Sequence, residues 1–179
     1  MRKLKVLKVQ NVSRECVVCG DHNPFSIGCK FFELEDDFVV AVFKSKDHHQ
    51  SFPGRMHGGM ISSVIDETIG RAVQIKDPDI WGVTGELNVR FIKPTPLNEP
   101  LMCFGKLIKE NSRIFKGVAI VETKEGELLA TGEATYVKLA IDKITDNFNE
   151  DDWHKDTTLI PEEIVIYNDE KMETLLNKV

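Results

Sequence analysis

His57-Gly58-Gly59 is followed, nine residues after the histidine, by Asp66 in the segment HGGMISSVIDETIGRAVQI. Paired glycines let a backbone come close to a ligand, and these stand where an apolar-periodic stretch begins, at the start of a helix. A helix start offers unpaired N–H groups and a positive dipole end, which suits a carbonyl oxygen gaining charge during reaction. A carboxylate further along the same helix is a candidate general base or nucleophile. The combination reads as an acyl-transfer site.

The elements that must hold these groups are legible on either side. Ile61, Val64, Ile65, Ile69 and Ala72 recur at three- and four-residue spacing, which predicts a helix from Gly58 or Gly59 to Ile75 with one face on a core. Asp77-Pro78 stops it, because proline disfavours helix in the residue ahead. Phe31 to Phe43 predicts a strand pair turning at Asp36-Asp37, and Ile80–Ile92, Leu101–Lys109, Ile114–Thr123 and Leu128–Leu139 predict further strands. The connectors between them are rich in Pro, Asn, Ser and Gly. Strands in series around one long helix predict an α+β domain, an antiparallel sheet wrapped over the helix. Asp66 lies among Val64, Ile65 and Ile69, where an unpaired carboxylate is costly to bury. The alternative is a solvated Asp66 on the polar flank beside Glu67, and spacing leaves both open.

The chain divides into a turn-rich lead-in over 1–30, the sheet-and-helix domain over 31–141, and an acidic extension over 142–179. In the extension, Asn168 is expected to cap a short helix with Met172, Leu175, Leu176 and Val179 on one face. The extension is expected either to pack back on the domain or to stay mobile, without a catalytic role. A net charge of −6 speaks against a general nucleic-acid binder. No apolar run is long enough to span a membrane, and the charged start makes a poor secretory signal. A cytoplasmic location with reduced Cys16, Cys19, Cys29 and Cys103 is therefore expected.

His57-Gly-Gly-x6-Asp66, then Gly82-Val-Thr84-Gly-Glu-Leu-Asn88-Val-Arg-Phe91-Ile-Lys-Pro94, resemble the hotdog-fold acyl-CoA thioesterases, nearest the phenylacetyl-CoA and 4-hydroxybenzoyl-CoA type. Cys16-x-x-Cys-Gly-x-x-Asn23-Pro24 resembles a lead-in of some hotdog proteins, so the likeness covers roughly residues 16–140. It implies a hotdog fold and hydrolysis of an acyl-CoA to an acid and coenzyme A, with no cofactor beyond the coenzyme A of the substrate. It implies that the Gly58 N–H binds the oxyanion, that Asp66 acts as base or nucleophile, and that Thr84 orients the attacking water. His57 orders the loop or bonds near the thioester in this reading, or is simply a structural loop residue. Gly59 and Ser51 fall on the substrate side. Two departures from the family pattern are Ser51, where some members carry an amide, and Gly70, where one branch has threonine; Gly70 is expected to allow close packing against the sheet or a partner helix.

The resemblance also implies a site at a dimer interface, and helix geometry agrees. Eight residues at 1.5 Å each separate Gly58 from Asp66 by about 12 Å, too far for one thioester carbon to touch both. Antiparallel helices across a two-fold axis would bring Gly58 of one copy to Asp66 of another, in a homodimer or a dimer of dimers.

Other groups rank lower. Cys16-x-x-Cys19-x-x-His22 with Cys29 has ligands enough for zinc but lacks a second paired knuckle, so no metal is expected. Cys103 reads as a buried strand residue. Arg90, Lys93 and Arg113 lie on or beside strands and could bind the phosphates of coenzyme A, or form an ordinary solvated face. Two rival functions remain: a non-catalytic acyl-CoA sensor, and an enoyl-thioester hydratase that would use His57.

Overall fold

The computed structural model describes residues 1–177. Ten strands and three α-helices follow in order: β1 (Arg2–Val9), β2 (Val12–Ser13), β3 (Lys30–Leu34), β4 (Phe38–Lys44), α1 (Gly58–Ala72), β5 (Trp81–Phe91), β6 (Pro100–Glu110), β7 (Ile114–Thr123), β8 (Leu128–Leu139), α2 (Ile141–Ile144), β9 (Trp153–His154), β10 (Glu163–Ile166) and α3 (Asp169–Leu176). Eight strands form one sheet in the order β10-β1-β3-β4-β6-β7-β8-β5, every neighbouring pair antiparallel. The remaining two, β2 and β9, pair with each other.

The expected strands are present within a residue or two of their predicted bounds. The turn between β3 and β4 falls at Asp36 and Asp37, both with φ near +60°. The expected helix is α1, and its last predicted residues, Val73–Ile75, form a 3₁₀ turn. It lies with Ile61, Val64, Ile65, Ile69 and Ala72 buried, as its spacing predicts. Three sheet glycines set its depth: a Cβ at Gly105, Gly117 or Gly132 would come within 2.9, 2.6 or 2.3 Å of Thr68, Ile69 or Ile65 respectively. Large α1 side chains occupy the space that sheet side chains would otherwise fill.

The opposite face of the sheet is also covered. Along β4, Val39 and Ala41 join the core beneath α1, whereas Phe38 and Val40 join a second core with Phe104, Ile120 and Met172 of α3. Burial on both faces explains why Phe38-Val-Val-Ala-Val reads as a continuous apolar run instead of an alternating one. The terminal segment therefore packs back on the domain. It is held at Glu122, a fully buried carboxylate on β7 that accepts from the Tyr167 N–H (2.8 Å), the Asn168 N–H (3.0 Å) and Asn168 Nδ2 (2.7 Å). That network corrects one expectation. Asn168 stands at the start of α3, but its side chain makes no cap bond; its Nδ2 instead donates to Glu122 and to the Gly126 carbonyl. Met172 is buried, and Leu175 and Leu176 are half-buried against the same core; Val179 lies outside the described residues.

One edge of the sheet is blunt and the other is not. The four-residue β10 closes one side, whereas the eleven-residue β5 pairs only with β8. Val83 and Phe91 on β5 are 42% and 52% exposed, unusual for a long edge strand with no covering element. Among the described residues no helix is long and apolar enough to cross a membrane.

Candidate active site

His57 is the N-cap of α1, and its Nδ1 accepts the Gly59 N–H at 2.9 Å. Because that donor is a backbone N–H, Nδ1 must present a lone pair, so a neutral His57 carries its proton on Nε2 and acts as a donor, not a base. The Gly59 N–H is thereby consumed, while the Gly58 N–H finds no acceptor among the described residues. It is the free donor at the positive end of a fifteen-residue helix. Gly58 has a steric role as well: a Cβ there would stand 3.3 Å from the Phe91 ring. The cleft around Gly58 has a volume of about 400 Å³ and is lined by Ser51, Phe52, Arg55, Phe91 and Lys93, among others.

Asp66 sits two turns on, half-buried, in a different cleft of about 290 Å³. Thr84 Oγ1 donates to its Oδ1 at 2.9 Å, and the Tyr136 hydroxyl approaches the same oxygen at 3.0 Å and the Asp66 carbonyl at 2.6 Å. Burial, reinforced by the Asp66 charge, pushes the Tyr136 hydroxyl far above its ordinary range, so it stays protonated as a donor. Thr84 donates to Oδ1, and the single Tyr136 proton is shared between Oδ1 and the nearer Asp66 carbonyl; Oδ2 accepts no hydrogen bond among the described residues. The arrangement holds one carboxylate oxygen and leaves the other open. Gly70, one turn further on, faces the Tyr136 ring, and a Cβ there would stand 3.4 Å away. Its close packing is against the sheet.

The family likeness named Thr84 for the attacking water and gave Tyr136 no role. The signal lies in the register: Thr84 and Tyr136 are directly opposed on β5 and β8, so both reach the same side of the sheet. Phe91 over Gly58 was missed for a similar reason. The expected substrate residues divide. Ser51 and Lys93 line the Gly58 cleft, although Lys93 is engaged with Glu127 at 2.6 Å. Gly59 is exposed beside His57, and exposed Arg90 and Arg113 line neither cleft.

Beside Asp66, Glu67 and buried Arg71 form an i,i+4 ion pair at 2.7 Å. Arg71 also donates to the Asn11 carbonyl (2.8 Å) and Cys19 Sγ (3.2 Å), while the Cys16 thiol donates to Glu67 Oε2 (3.1 Å). Burial opposes the charge on Arg71, but Glu67 together with Cys19 and Cys16 raises the pKa above the ordinary value. A hydrogen bond from Cys19 lowers the Cys16 thiol, and the same bond together with burial raises Cys19. Cys16 Sγ, Cys19 Sγ and a Glu67 oxygen lie within 4.8 Å of one another, a donor set able to hold a soft cation. It is not the set that spacing offered: His22 bonds Asp21, and Cys29 lies in the core. Cys103 is fully buried and pushed up to about 12 by that burial, which makes it an inert strand residue.

A long helix laid on an antiparallel sheet, with a free N–H at its start and a held carboxylate along its length, is a hotdog fold carrying a candidate acyl-transfer site. Residues 53–130 match the sequence model of the family described as Thioesterase superfamily. Acyl-coenzyme A thioesterase THEM4 of Rattus norvegicus is 31% identical over 63% of this chain and 48% of its own length. Acyl-coenzyme A thioesterase 13 of Homo sapiens is 24% identical over 54% of this chain and 70% of its own. A solved thioesterase superfamily protein is 28% identical over 70% of this chain and 61% of its own, with a TM-score of 0.64. The chain spans about half the length of THEM4.

Proposed function

We propose that this protein hydrolyses an acyl-CoA thioester in sites shared between two copies of the chain. The observation that carries the reading is the asymmetry of the Asp66 carboxylate, with Oδ1 held by Thr84 and Tyr136 and Oδ2 unengaged. Water attacks the thioester carbon as its proton passes to Oδ2; the oxyanion is stabilised by the Gly58 N–H of the second copy; collapse expels coenzyme A thiolate, which takes up the proton. A single oxyanion donor contributes roughly 3–4 kcal/mol to such a transition state. Oδ2 can also attack directly to give a mixed anhydride; ¹⁸O found in Asp66 after a single turnover in ¹⁸O-water would establish that route, through hydrolysis at the Asp66 carbonyl.

Two clefts at separate places along α1 support a shared site, as does the unpaired β5 edge with its exposed Val83 and Phe91. Pairing β5 with its copy across a two-fold axis would continue the sheet and cover that edge. Thr84 donates to the carboxylate, so in this reading it orients the base. The engaged Nδ1 of His57 speaks against the hydratase alternative, which needs a histidine base.

Thiol release from a panel of acyl-CoAs tests the proposal. Asp66→Asn should keep the fold by circular dichroism and lose about 10³-fold in kcat, within the span of general-base catalysis. Near-normal turnover by a folded Asp66→Asn protein would overturn the mechanism, and tight acyl-CoA binding without thiol release by the wild type would favour a sensor.

A further inference from the structure

The Asp66 cleft is completed by residues from outside the family-matched segment. Ser13 and Cys16 come from the lead-in and Trp153 from the C-terminal extension, and all three line the cleft with Asp66 and Trp81. Trp153 is held on two sides. Its ring meets Trp81 edge-to-face at 5.2 Å between centroids, and the Arg71 guanidinium lies 4.9 Å from its centre. Phe148 in turn supports Trp81 at 5.6 Å.

The backbone carrying Trp153 is fastened on both flanks. Ser13 pairs with Trp153 and Val12 with His154 in the two-stranded sheet, and the Arg14 N–H donates to the Asp152 carbonyl at 2.8 Å. His154 Nε2 bonds Asp21 at 2.8 Å, and Lys30 pairs with nearly buried Asp156 at 2.9 Å. An indole fixed by Trp81, by Arg71 and by four backbone and side-chain tethers on its flanks is a wall, not a passing side chain. A volume of about 290 Å³ falls just below the roughly 300–1,000 Å³ of small-molecule sites. It has room for an acyl group but not for the coenzyme.

We infer that Trp153 closes the acyl pocket and limits its substrates to thioesters of short acyl groups. This rests on the reading of Asp66 as the reacting carboxylate, since the wall matters only if the thioester carbon sits beside that residue. Trp153 makes no bond to Asp66 and acts by exclusion. Replacing it should therefore alter which chains are accepted and leave the chemical step in place.

The test is thiol release by the full-length protein on straight-chain acyl-CoAs from acetyl to dodecanoyl. Wild type should favour the short end. Trp153→Ala should raise kcat/KM for decanoyl-CoA relative to butyryl-CoA at least about tenfold, the scale on which apolar pockets discriminate chain length, with the change carried by KM. Trp153→Phe should fall between, and Leu159→Ser, at an exposed tail position outside the cleft, should match wild type. An active Trp153→Ala protein with an unchanged chain-length profile overturns the inference and leaves the hydrolase reading standing. If Trp153→Ala fails to fold, the Trp153→Phe profile decides, and identity with wild type is the overturning result. A wild type silent on every thioester overturns the hydrolase reading and this inference with it.

Discussion

The two clefts along α1 are built from different materials. At the start of the helix the chemistry is a backbone N–H, surrounded by exposed loop residues and the Phe91 ring. Around Asp66 it is a side chain, clamped by Thr84 and Tyr136 and backed by the buried Glu67–Arg71 pair. The first region relies on where the helix begins. The second relies on which residues the sheet register and the returning tail bring together. A helix start can thus serve chemistry with almost no side-chain signature, whereas a carboxylate needs a support network that long-range contacts must assemble.

Behind the loss expected of Asp66→Asn, the next largest effect comes from deleting the backbone donor. Gly58→Pro removes that N–H at the first helical position, where proline is well tolerated, and His57 at φ −67°, ψ 136° already has the extended conformation proline asks of its predecessor. It should lower kcat by about 10²-fold or more with the fold retained. Gly58→Ala keeps the N–H, adds only a methyl near Phe91, and should cost far less. Equal kcat for both variants would remove the oxyanion role from Gly58.

Mixing the two disabled proteins sharpens the contrast. If each site takes Gly58 from one copy and Asp66 from the other, random re-pairing of Gly58→Pro with Asp66→Asn makes half the dimers mixed, each with one intact site of two. Activity should return to about a quarter of wild type. No recovery after subunit exchange would place both groups in one chain.

Smaller effects should separate the regions further. Tyr136→Phe keeps the ring packed on Phe115 and removes one donor to Asp66 Oδ1, so kcat should fall about tenfold, a single hydrogen bond to a charged group. The N-terminal cleft, probed by Gly58→Ala, should be unaffected by that change. The least effect concerns pH. A hydrogen bond from His154, chiefly, lowers the Asp21 carboxyl from 3.8 to about 2. A depressed folded pKa means the contribution is present above the unfolded value and is lost as pH falls from about 4 toward 2. Tryptophan emission should shift over that window as the Trp153 segment loosens, and Asp21→Asn should abolish the dependence.

The helix and its flanking strands were legible because each repeats an apolar pattern at its own period over enough residues. The turn at Asp36-Asp37 was legible from its chemistry. β1 was not, although Leu4, Val6 and Val9 are buried along it, because its lysines made residues 1–30 read as a mixed lead-in. The second core was hidden for a related reason: α3 covers the far face from the other end of the chain, and no local pattern announces a long-range cover. At the site, Gly58 and Asp66 could be named from spacing within one helix. Tyr136 and Trp153 could not, since strand register brings one to the cleft and a tail tethered through Asp21, Lys30 and Ser13 brings the other.

Gly105, Gly117 and Gly132 have a consequence for how such a protein can change. With Thr68, Ile69 and Ile65 seated where their side chains would be, α1 cannot be raised or slid without rebuilding three strands at once. The spacing between its two candidate reactive places behaves as a fixed gauge. New substrate preferences are then open to mutation only at the rim, in the loop around Phe52 and on the tail around Trp153, where a residue can be exchanged without disturbing that gauge. Selection can retune what enters the site while leaving how it reacts alone.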